Sequence, residues 1–393
     1  MESNTKTLLN EEGQLINLLD LLMYLKRITD GRKRRGIRYS IEMIFLLFIL
    51  AKLCGENKTY GIADWVQQRK GLLIEALQLP YSRLPHHSTY RRVMSEKVDP
   101  NEVEQILATY LAQLPRKGQD MVIAIDGKTV RGTITTEDPF GLHLLAAYLP
   151  GSGIVLMQMV VEKDKENEIV IAPKLLKCLD LTDKVVIGDA MQTQRQLSIQ
   201  IVSSGGHFVW IVKDNQANTR KAIEQLFAPE KRIPGVGNPP MDFCSARTVD
   251  KQAGRIEERS ITVSNMLNNY LDWPHLQQVF KIERRVTTLL TGEVSTEVEY
   301  GLTDLPSEST CPTRLLGIIR SEWGIECGLH YRRDVTFQED RTRMTDKSMA
   351  MIVASIHNLV ISLLNCRGYE NHAQARRIFD AAPTKALDLI RGL

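Results

Sequence analysis

The stretch "VIAIDGKTVRGT", residues 122–133, places an acidic residue directly after a short apolar run. The run is rich in β-branched residues, which is typical of a strand that is buried on both faces of a sheet. Asp126 follows it near the expected core, where a carboxylate without a partner is costly. Either a basic neighbour, Lys128 or Arg131, neutralises Asp126, or a group from outside the chain does.

A second stretch, "VVIGDA" at residues 185–190, repeats this pattern and contains Asp189. Acids that end neighbouring strands lie in the crevice at the carboxyl edge of a sheet. Two carboxylates held close together in this crevice repel each other, and both stay ionised only when a cation lies between them. Oxygen ligands suit Mg²⁺ or Mn²⁺, so the pair predicts a metal site. The alternative is that each aspartate is a hydrogen-bonded turn residue.

A third carboxylate is expected further along the chain, because a site for two metal ions usually contains more than two acids. The stretch "RSEWGIECGLHYRRD", residues 320–334, reads as a helix. Four of its polar residues would share one helix face: Glu322, Glu326, His330 and Asp334. Glu326 is our prediction for the third ligand, since it lies between Trp323 and Leu329, which would pack against the sheet. Asp334 is the fallback, and an exposed acidic stripe is the alternative.

The order of elements around these acids predicts an α/β fold, which is α+β overall. From about residue 119 the pattern reads β-β-β-α-β-α-β-α, which implies a mixed sheet with flanking helices and matches an RNase H-like core. The whole chain then divides into four predicted segments. They are an all-helical domain at 1–112, the first part of the core at 113–228, a β-rich insertion at 229–305, and C-terminal helices that complete the core at 306–393.

The composition is that of an ordinary globular protein, with 393 residues of which 43% are hydrophobic and 25% charged. The six cysteines lie far apart without a C-x-x-C pair, which favours reduced thiols and argues against a structural zinc site. The N-terminus lacks the layout of a signal peptide. The most apolar run, "IEMIFLLFILAKL" at residues 41–53, is too short to span a bilayer, so we expect a buried core helix and no membrane partner.

Basic residues are concentrated in the helical domain, although the net charge of the chain is only +3. One cluster lies in "KRITDGRKRRGIR", residues 26–38, and the other in "LPHHSTYRRVM", residues 84–94, where Ser88 is a good N-cap. A capped helix of this kind resembles the reader of a helix-turn-helix protein, and a solvated basic face is the alternative. The residues predicted to contact DNA here are Arg32, Lys33, Arg34, Arg35, Arg38, Arg91 and Arg92.

Several longer motifs carry a family resemblance, which extends from about residue 15 to about residue 366. They are "VIAIDGKTVRG", "HLLAAY", "EKDKENEIVIAPKLLKCLDL", "VIGDAMQTQ", "GGHFVWIVKDNQ", "AGRIEER" and "IRSEWGIECGLHYRRDVTFQED". Together they resemble the DDE transposases of the H-repeat-associated insertion-sequence group. The basic N-terminal segments resemble the helical domain associated with those transposases. The resemblance implies an RNase H-like catalytic core, a β-rich insertion and a DDE site that holds two Mg²⁺ or Mn²⁺ ions.

The resemblance also implies roles for single residues. By motif, the catalytic and metal-binding triad is Asp126 from "AIDGK", Asp189 from "IGDAM" and Glu326 from "WGIE". Further residues that would face DNA are Lys128, Arg131, Lys213, Asn215, Gln216 and Arg333. Among these, Lys213, Asn215 and Gln216 match the family motif K-x-N-Q, and an N-cap role for Asn215 is the alternative. His330 and Asp334 are candidates for orienting the ligands.

The chain departs from the family pattern at three places. Ala253 stands where the family usually has the histidine of H-G-R-I-E, and Asp214 stands where it has the glycine of G-N-Q. Upstream of Glu326, Ile319 and Glu322 stand at the positions where related transposases have a tyrosine and an arginine. The three acids are intact, whereas groups expected around the DNA differ.

The activity implied is metal-dependent cleavage of double-stranded DNA at the ends of an insertion element, followed by strand transfer into target DNA. The expected substrates are the terminal inverted repeats and the target DNA. The resemblance further implies a homodimer on DNA and a cytoplasmic, nucleoid-associated bacterial protein. Two alternatives stay open: a catalytically silent or repurposed DNA-binding protein derived from a transposase, and a purely hydrolytic RNase H-like nuclease.

Overall fold

The structure is a computed structural model, and it describes residues 18–35, 37–114, 121–162, 166–229, 241–252 and 254–391. The helices are α1 (Leu18–Leu25), α2 (Ile41–Leu53), α3 (Thr59–Gln68), α4 (Lys70–Ala76), α5 (His87–Glu96), α6 (Pro100–Leu111), α7 (Glu168–Lys177), α8 (Arg195–Ser203), α9 (Ala217–Leu226), α10 (Pro312–Ile325), α11 (Lys347–Cys366), α12 (His372–Ala381) and α13 (Pro383–Arg391). The strands are β1 (Val122–Val130), β2 (Leu142–Leu149), β3 (Ile154–Val161), β4 (Val185–Gly188), β5 (His207–Val212), β6 (Cys244–Gln252), β7 (Arg255–Ser264), β8 (Gln278–Thr288) and β9 (Val294–Thr303).

The strands form one mixed sheet in the order β3-β2-β1-β4-β5-β9-β8-β7-β6. β1 pairs with β4 in parallel, and β4 pairs with β5 in parallel. The insertion joins this core through β9, which pairs antiparallel with β5, and β8, β7 and β6 follow in antiparallel pairs. The predicted RNase H-like mixed sheet, the β-rich insertion and the helical N-terminal region are therefore confirmed.

The chain folds as two compact units. Unit 1 comprises residues 1–120, 127–166 and 325–393, and unit 2 comprises residues 121–126 and 167–324. Residues of the predicted segments 1–112, 113–228 and 306–393 all contribute to unit 1, and the four predicted ranges stay a prediction. Residues 230–240 and Ala253, which belong to the predicted insertion, lie outside the described residues.

The core of unit 1 is built around two apolar helices. α2 is buried along nearly its whole length, as predicted for its apolar run. α11 has the length and the mean hydropathy, 1.7, of a membrane span, but 94% of that window is buried inside the protein. It is therefore a core helix of unit 1, packed against α2, α6 and β3.

The core of unit 2 contains β4 and β5, whose side chains are buried on nearly every position. α7 begins after Asn167, whose side chain caps the helix by accepting a hydrogen bond from the N–H of Val170 at 3.2 Å. The structure contains no disulfide among the described cysteines, in agreement with the reduced thiols that the spacing favours.

The helix after α10 is not regular. Two π-helical segments, Glu326–His330 and Arg332–Thr336, follow Ile325. The regular α-helix predicted for residues 320–334 therefore ends at Ile325. The placement of its four polar residues on one face stays a prediction.

Candidate functional site

The two predicted aspartates follow directly after a pair of strand residues. In the parallel pairing of β1 with β4, Ile125 lies opposite Gly188, and this is the last pair of the register. The residues that follow this pair along the chain are Asp126, which lies within β1, and Asp189, which comes directly after the end of β4. β1 does not end at Asp126 as predicted but continues to Val130, because its other edge is next to β2 in the sheet.

Gly188 allows the two strands to approach each other just before the acids. A side chain at this position would place its first carbon 2.9 Å from Cγ1 of Ile125 and 3.1 Å from Cγ of Gln192. Such contacts are too short for ordinary packing, so a larger residue would push β1 and the loop after Asp189 apart. A glycine is therefore required at position 188 for steric reasons, because a larger residue does not fit between these neighbours in unit 2.

Asp189 begins a short turn of 3₁₀-helix. Its Oδ1 accepts hydrogen bonds from the N–H groups of Met191 at 3.0 Å and Gln192 at 3.3 Å. These donors favour the charged carboxylate, yet the pKa of Asp189 is raised above its usual value. The causes are burial first, and then the negative charges of Glu168 and Asp126. A cation between the two aspartates would relieve this repulsion.

Further acids of unit 2 surround the pair. Burial and the negative charges of Glu299, Asp189 and Asp126 raise the pKa of Glu322 to about 8, while Lys213 acts in the opposite direction. Glu299 itself lies 3.5 Å from Nζ of Lys213. The sequence analysis included Glu322 among the polar residues of this helix but contained no reason to prefer it to Glu326 as the third ligand. Glu168 and Glu299 carry no local signal beyond their charge.

The third predicted ligand, Glu326, is exposed and begins the first π-helical segment. It belongs to unit 1, whereas Asp126, Asp189 and Glu322 belong to unit 2, so its role stays a prediction. Leu329 is buried as expected, but Trp323 is 54% exposed and Arg284 lies 5.5 Å from its ring centre. The prediction that Trp323 packs into the core is wrong.

The chemistry of the site fits a hard divalent cation. In the part of the chain that the structure describes, no three His, Cys, Asp or Glu side chains lie close enough to hold a metal ion. The available donors are nevertheless oxygens, as Mg²⁺ and Mn²⁺ require. Beside the carboxylates, the amide oxygen of Gln192 is buried and accepts no hydrogen bond from the described residues, while its amide nitrogen donates to Glu168 at 3.0 Å.

The K-x-N-Q residues lie between β5 and α9, and their amides contact the main chain. Nδ2 of Asn215 donates to the carbonyl of Ala190 at 2.5 Å. Nε2 of Gln216 donates to the carbonyl of Thr193 at 3.1 Å. Asn215 does not cap α9, so that alternative is wrong. The extra negative charge of Asp214 is paired with Arg220 at 2.5 Å.

Most cations predicted to contact DNA are exposed. They are Lys33, Arg34, Arg35 and Arg38 between α1 and α2, Arg91 and Arg92 on α5, Arg131 after β1, and Lys213 after β5. α5 begins one residue before Ser88, and the imidazole of His86 caps it by accepting from the N–H of Ser88. The exposed Arg91 and Arg92 stand between Tyr90 and Val93 in the sequence, and both of these neighbours are fully buried.

Three cations of the predicted DNA set are largely buried and are paired with carboxylates. The side chain of Arg32 is 11% exposed and is held by Asp30 at 2.6 Å. Nζ of Lys128 is 2.6 Å from Asp334 and 3.8 Å from Asp340. Arg333 is fully buried, and its guanidinium binds Glu339 at 2.7 Å. A fully buried guanidinium cannot reach a phosphate, and taking it from its buried carboxylate partner would be strongly unfavourable, so a DNA contact by Arg333 is not supported.

Asp334 and His330 lie in unit 1, where they line a cleft of about 480 Å³ together with Gly127, Lys128 and His143. Asp334 forms an ion pair with Lys128. Lys128, one of the two basic residues considered as neighbours of Asp126, thus has two carboxylate partners in unit 1, Asp334 and Asp340. A role of Asp334 or His330 in orienting ligands stays a prediction.

Comparisons with known proteins identify the family. Residues 117–363 match the model described as transposase DDE domain, and residues 22–111 match the one described as DDE_Tnp_1-associated. The chain is 27% identical to the Escherichia coli "H repeat-associated putative transposase YhhI" over 358 residues, which cover 89% of this chain and 91% of that protein. It is 30% identical over 280 residues, 70% of this chain and 90% of that protein, to the "Uncharacterized protein in dhlA 3'region" of Xanthobacter autotrophicus.

Among solved structures, a piggyBac transposase synaptic complex with hairpin DNA matches with a TM-score of 0.44 and 12% identity, covering 95% of this chain and 81% of that chain. The sequence matches carry the assignment. Because the transposase DDE model spans more than half of the residues, the chain belongs to the family of DDE-domain transposases.

Proposed function

We propose that the protein is a DNA transposase that cleaves the ends of an insertion element and joins the 3′-hydroxyl ends to target DNA. The observation that carries the proposal is the placement of Asp126 and Asp189 directly after the paired residues of two parallel strands. Carboxylates at the carboxyl edge of such strands are the typical framework of a metal-dependent phosphoryl-transfer site.

In this proposal Asp126, Asp189 and Glu326 hold two Mg²⁺ or Mn²⁺ ions. Bound ions of this kind activate the attacking oxygen and stabilise the leaving oxygen of an in-line displacement. The protein contributes rigid placement of its carboxylates, one within a strand and the other on a capped turn. Neither aspartate has to act as a covalent nucleophile.

The proposed substrate is double-stranded DNA, namely the terminal inverted repeats and the target. The exposed cations between α1 and α2 and on α5 would contact phosphates, which contribute affinity without reading sequence. A homodimer would hold the two element ends together. A DNA substrate of this kind places the protein in the cytoplasm, in association with the nucleoid.

The test is cleavage of duplex DNA that carries the sequences flanking the coding region, in Mg²⁺, Mn²⁺ or EDTA. The variants are Asp126→Asn, Asp189→Asn and Glu326→Gln. Asp272→Asn is the matched control, because its carboxylate is 99% exposed. We expect metal-dependent nicking at a defined end, unchanged in the control and about 100-fold slower or more in each triad variant.

Three outcomes would contradict parts of this proposal. Tight DNA binding without cleavage in either metal would favour a silent DNA-binding protein. Nicking without joining to target DNA would favour a hydrolytic nuclease. Cleavage that survives Glu326→Gln but is lost in Glu322→Gln would show that the third ligand is Glu322 and that the assignment of Glu326 is wrong.

A further inference from the structure

Two amide side chains of one motif hold the loop that follows Asp189. Asn215 donates from Nδ2 to the carbonyl of Ala190 at 2.5 Å, and Gln216 donates from Nε2 to the carbonyl of Thr193 at 3.1 Å. The two carbonyls lie one and four residues after Asp189. The pair therefore fixes both ends of the short turn that Asp189 begins.

The same turn is held from its other sides. The hydroxyl of Thr193 donates to the carbonyl of Ile211 in β5 at 2.7 Å. Gln192 donates to Glu168 at the start of α7 at 3.0 Å. The side chains of Thr193 and Gln192 are fully buried. Within this network, the bonds from Asn215 and Gln216 connect the loop to the segment between β5 and α9.

We propose that Asn215 and Gln216 are positioning residues, which set the orientation of the Asp189 carboxylate by holding the carbonyls of its loop. The alternative is that both amides bind DNA phosphate. Each amide nitrogen carries two hydrogens, and in both residues one of them already donates to the main chain, which ties the side chain to the loop after Asp189. The inference rests on the proposed function, in which Asp189 is a metal ligand.

The consequence is a measurable effect on metal affinity. The carboxylate of Asp189 accepts from the N–H groups of Met191 and Gln192, so its direction follows the conformation of this turn. Groups that orient metal ligands typically change affinity or activity about 10- to 100-fold when they are removed. Loss of the Asn215 and Gln216 donors would loosen the turn without removing any carboxylate.

The test uses the full chain with Asn215→Ala and Gln216→Ala. Asn218→Ala, at an exposed position on α9, is the matched control. Three quantities are measured: the Kd for Mn²⁺ by calorimetry without DNA, amide hydrogen exchange of residues 189–193, and the Kd for DNA in EDTA. We expect about a 10-fold weaker Mn²⁺ Kd, faster exchange at Met191 and Gln192, and unchanged DNA affinity, with the control like wild type.

Unchanged Mn²⁺ affinity and unchanged exchange, with or without weaker DNA binding, would overturn the inference. Weaker DNA binding in that case would show that the amides contact phosphate. Asp189→Asn separates this failure from failure of the proposed function. If Asp189→Asn binds Mn²⁺ as wild type does, the proposed metal site is contradicted, and the exchange rates alone then decide whether the two amides hold the turn.

Discussion

Glu322 lies where a negative charge is unfavourable. Burial raises its pKa most, and the charges of Glu299, Asp189 and Asp126 raise it further, to about 8. In the metal-free protein the side chain is therefore mostly neutral at pH 7. In the unfolded chain a glutamate ionises near its ordinary pKa of about 4.3, so the folded state keeps a proton that the unfolded state has lost.

This difference predicts a pH-dependent effect of Glu322→Gln. The folded pKa is raised, so wild-type stability falls as the pH rises from about 4.3 to about 8. Glutamine does not titrate, so the variant lacks this loss. In EDTA we expect the variant to gain on the order of 4 kcal/mol of unfolding free energy relative to wild type between pH 5 and pH 8.5. Urea unfolding at both pH values measures the difference.

Glu75→Gln is the control, because Glu75 is an exposed residue of α4. Its stability relative to wild type should not depend on pH over this range. A Glu322→Gln difference that is the same at pH 5 and pH 8.5 would show that Glu322 ionises normally in the folded protein.

At the residue scale, the sequence could identify the two aspartates because each stands after a short apolar strand. It could not show which cations are free. The partners of Lys128 are Asp334 and Asp340, about 200 residues away. Likewise, only the fold brings the charge of Glu168 close to Asp189 and the charge of Glu299 close to Glu322, because these residues belong to separate elements.

Among the elements, α5 is the clearest candidate for DNA contact in the helical region. Arg91 and Arg92 are exposed on a helix whose opposite face is buried through Tyr90, Val93 and Met94. A helix anchored in this way presents its cations at a fixed position. Each phosphate contact contributes about 0.9 to the slope of log affinity against log salt concentration.

We therefore expect the double variant Arg91→Ala, Arg92→Ala to bind DNA more weakly and with a salt slope smaller by about 1 to 2. The control is Lys174→Ala, Lys177→Ala on α7, which removes the same charge from another exposed helix. Fluorescence anisotropy at several salt concentrations measures both. Equal losses in the two variants would indicate a general charge effect and exclude a specific role for α5.

The elements that the sequence predicted well have local causes. α7 starts at the Asn167 cap, and β4 is a short apolar run that ends at a glycine. The π-helical segments were missed because they depend on tertiary contacts. Gly328 lies against the ring of Tyr148 in unit 1, where an added side chain would come within 2.3 Å of the phenol oxygen. No periodicity in the sequence reports such a contact.

At the scale of the molecule, unit 1 is assembled from three distant parts of the chain, and a buried carboxylate joins them. Glu104 of α6 accepts hydrogen bonds from the N–H of Gln158 at 2.9 Å, from its side-chain amide at 3.0 Å, and from the hydroxyl of Ser355. Gln158 is in β3 and Ser355 is in α11. The side-chain oxygen of Gln158 also accepts from the buried Arg333 at 3.3 Å.

These bonds predict that the N-terminal helices and α11 unfold together. Glu104→Ala would remove the shared acceptor of three buried hydrogen bonds, which costs roughly 3 kcal/mol. Glu75→Ala is again the exposed control. In hydrogen exchange we expect faster exchange in both α6 and α11 of the Glu104 variant, because each helix loses the same buried partner. Faster exchange in α6 alone would instead show that residues 18–114 open independently of the C-terminal helices, as a separate helical domain would.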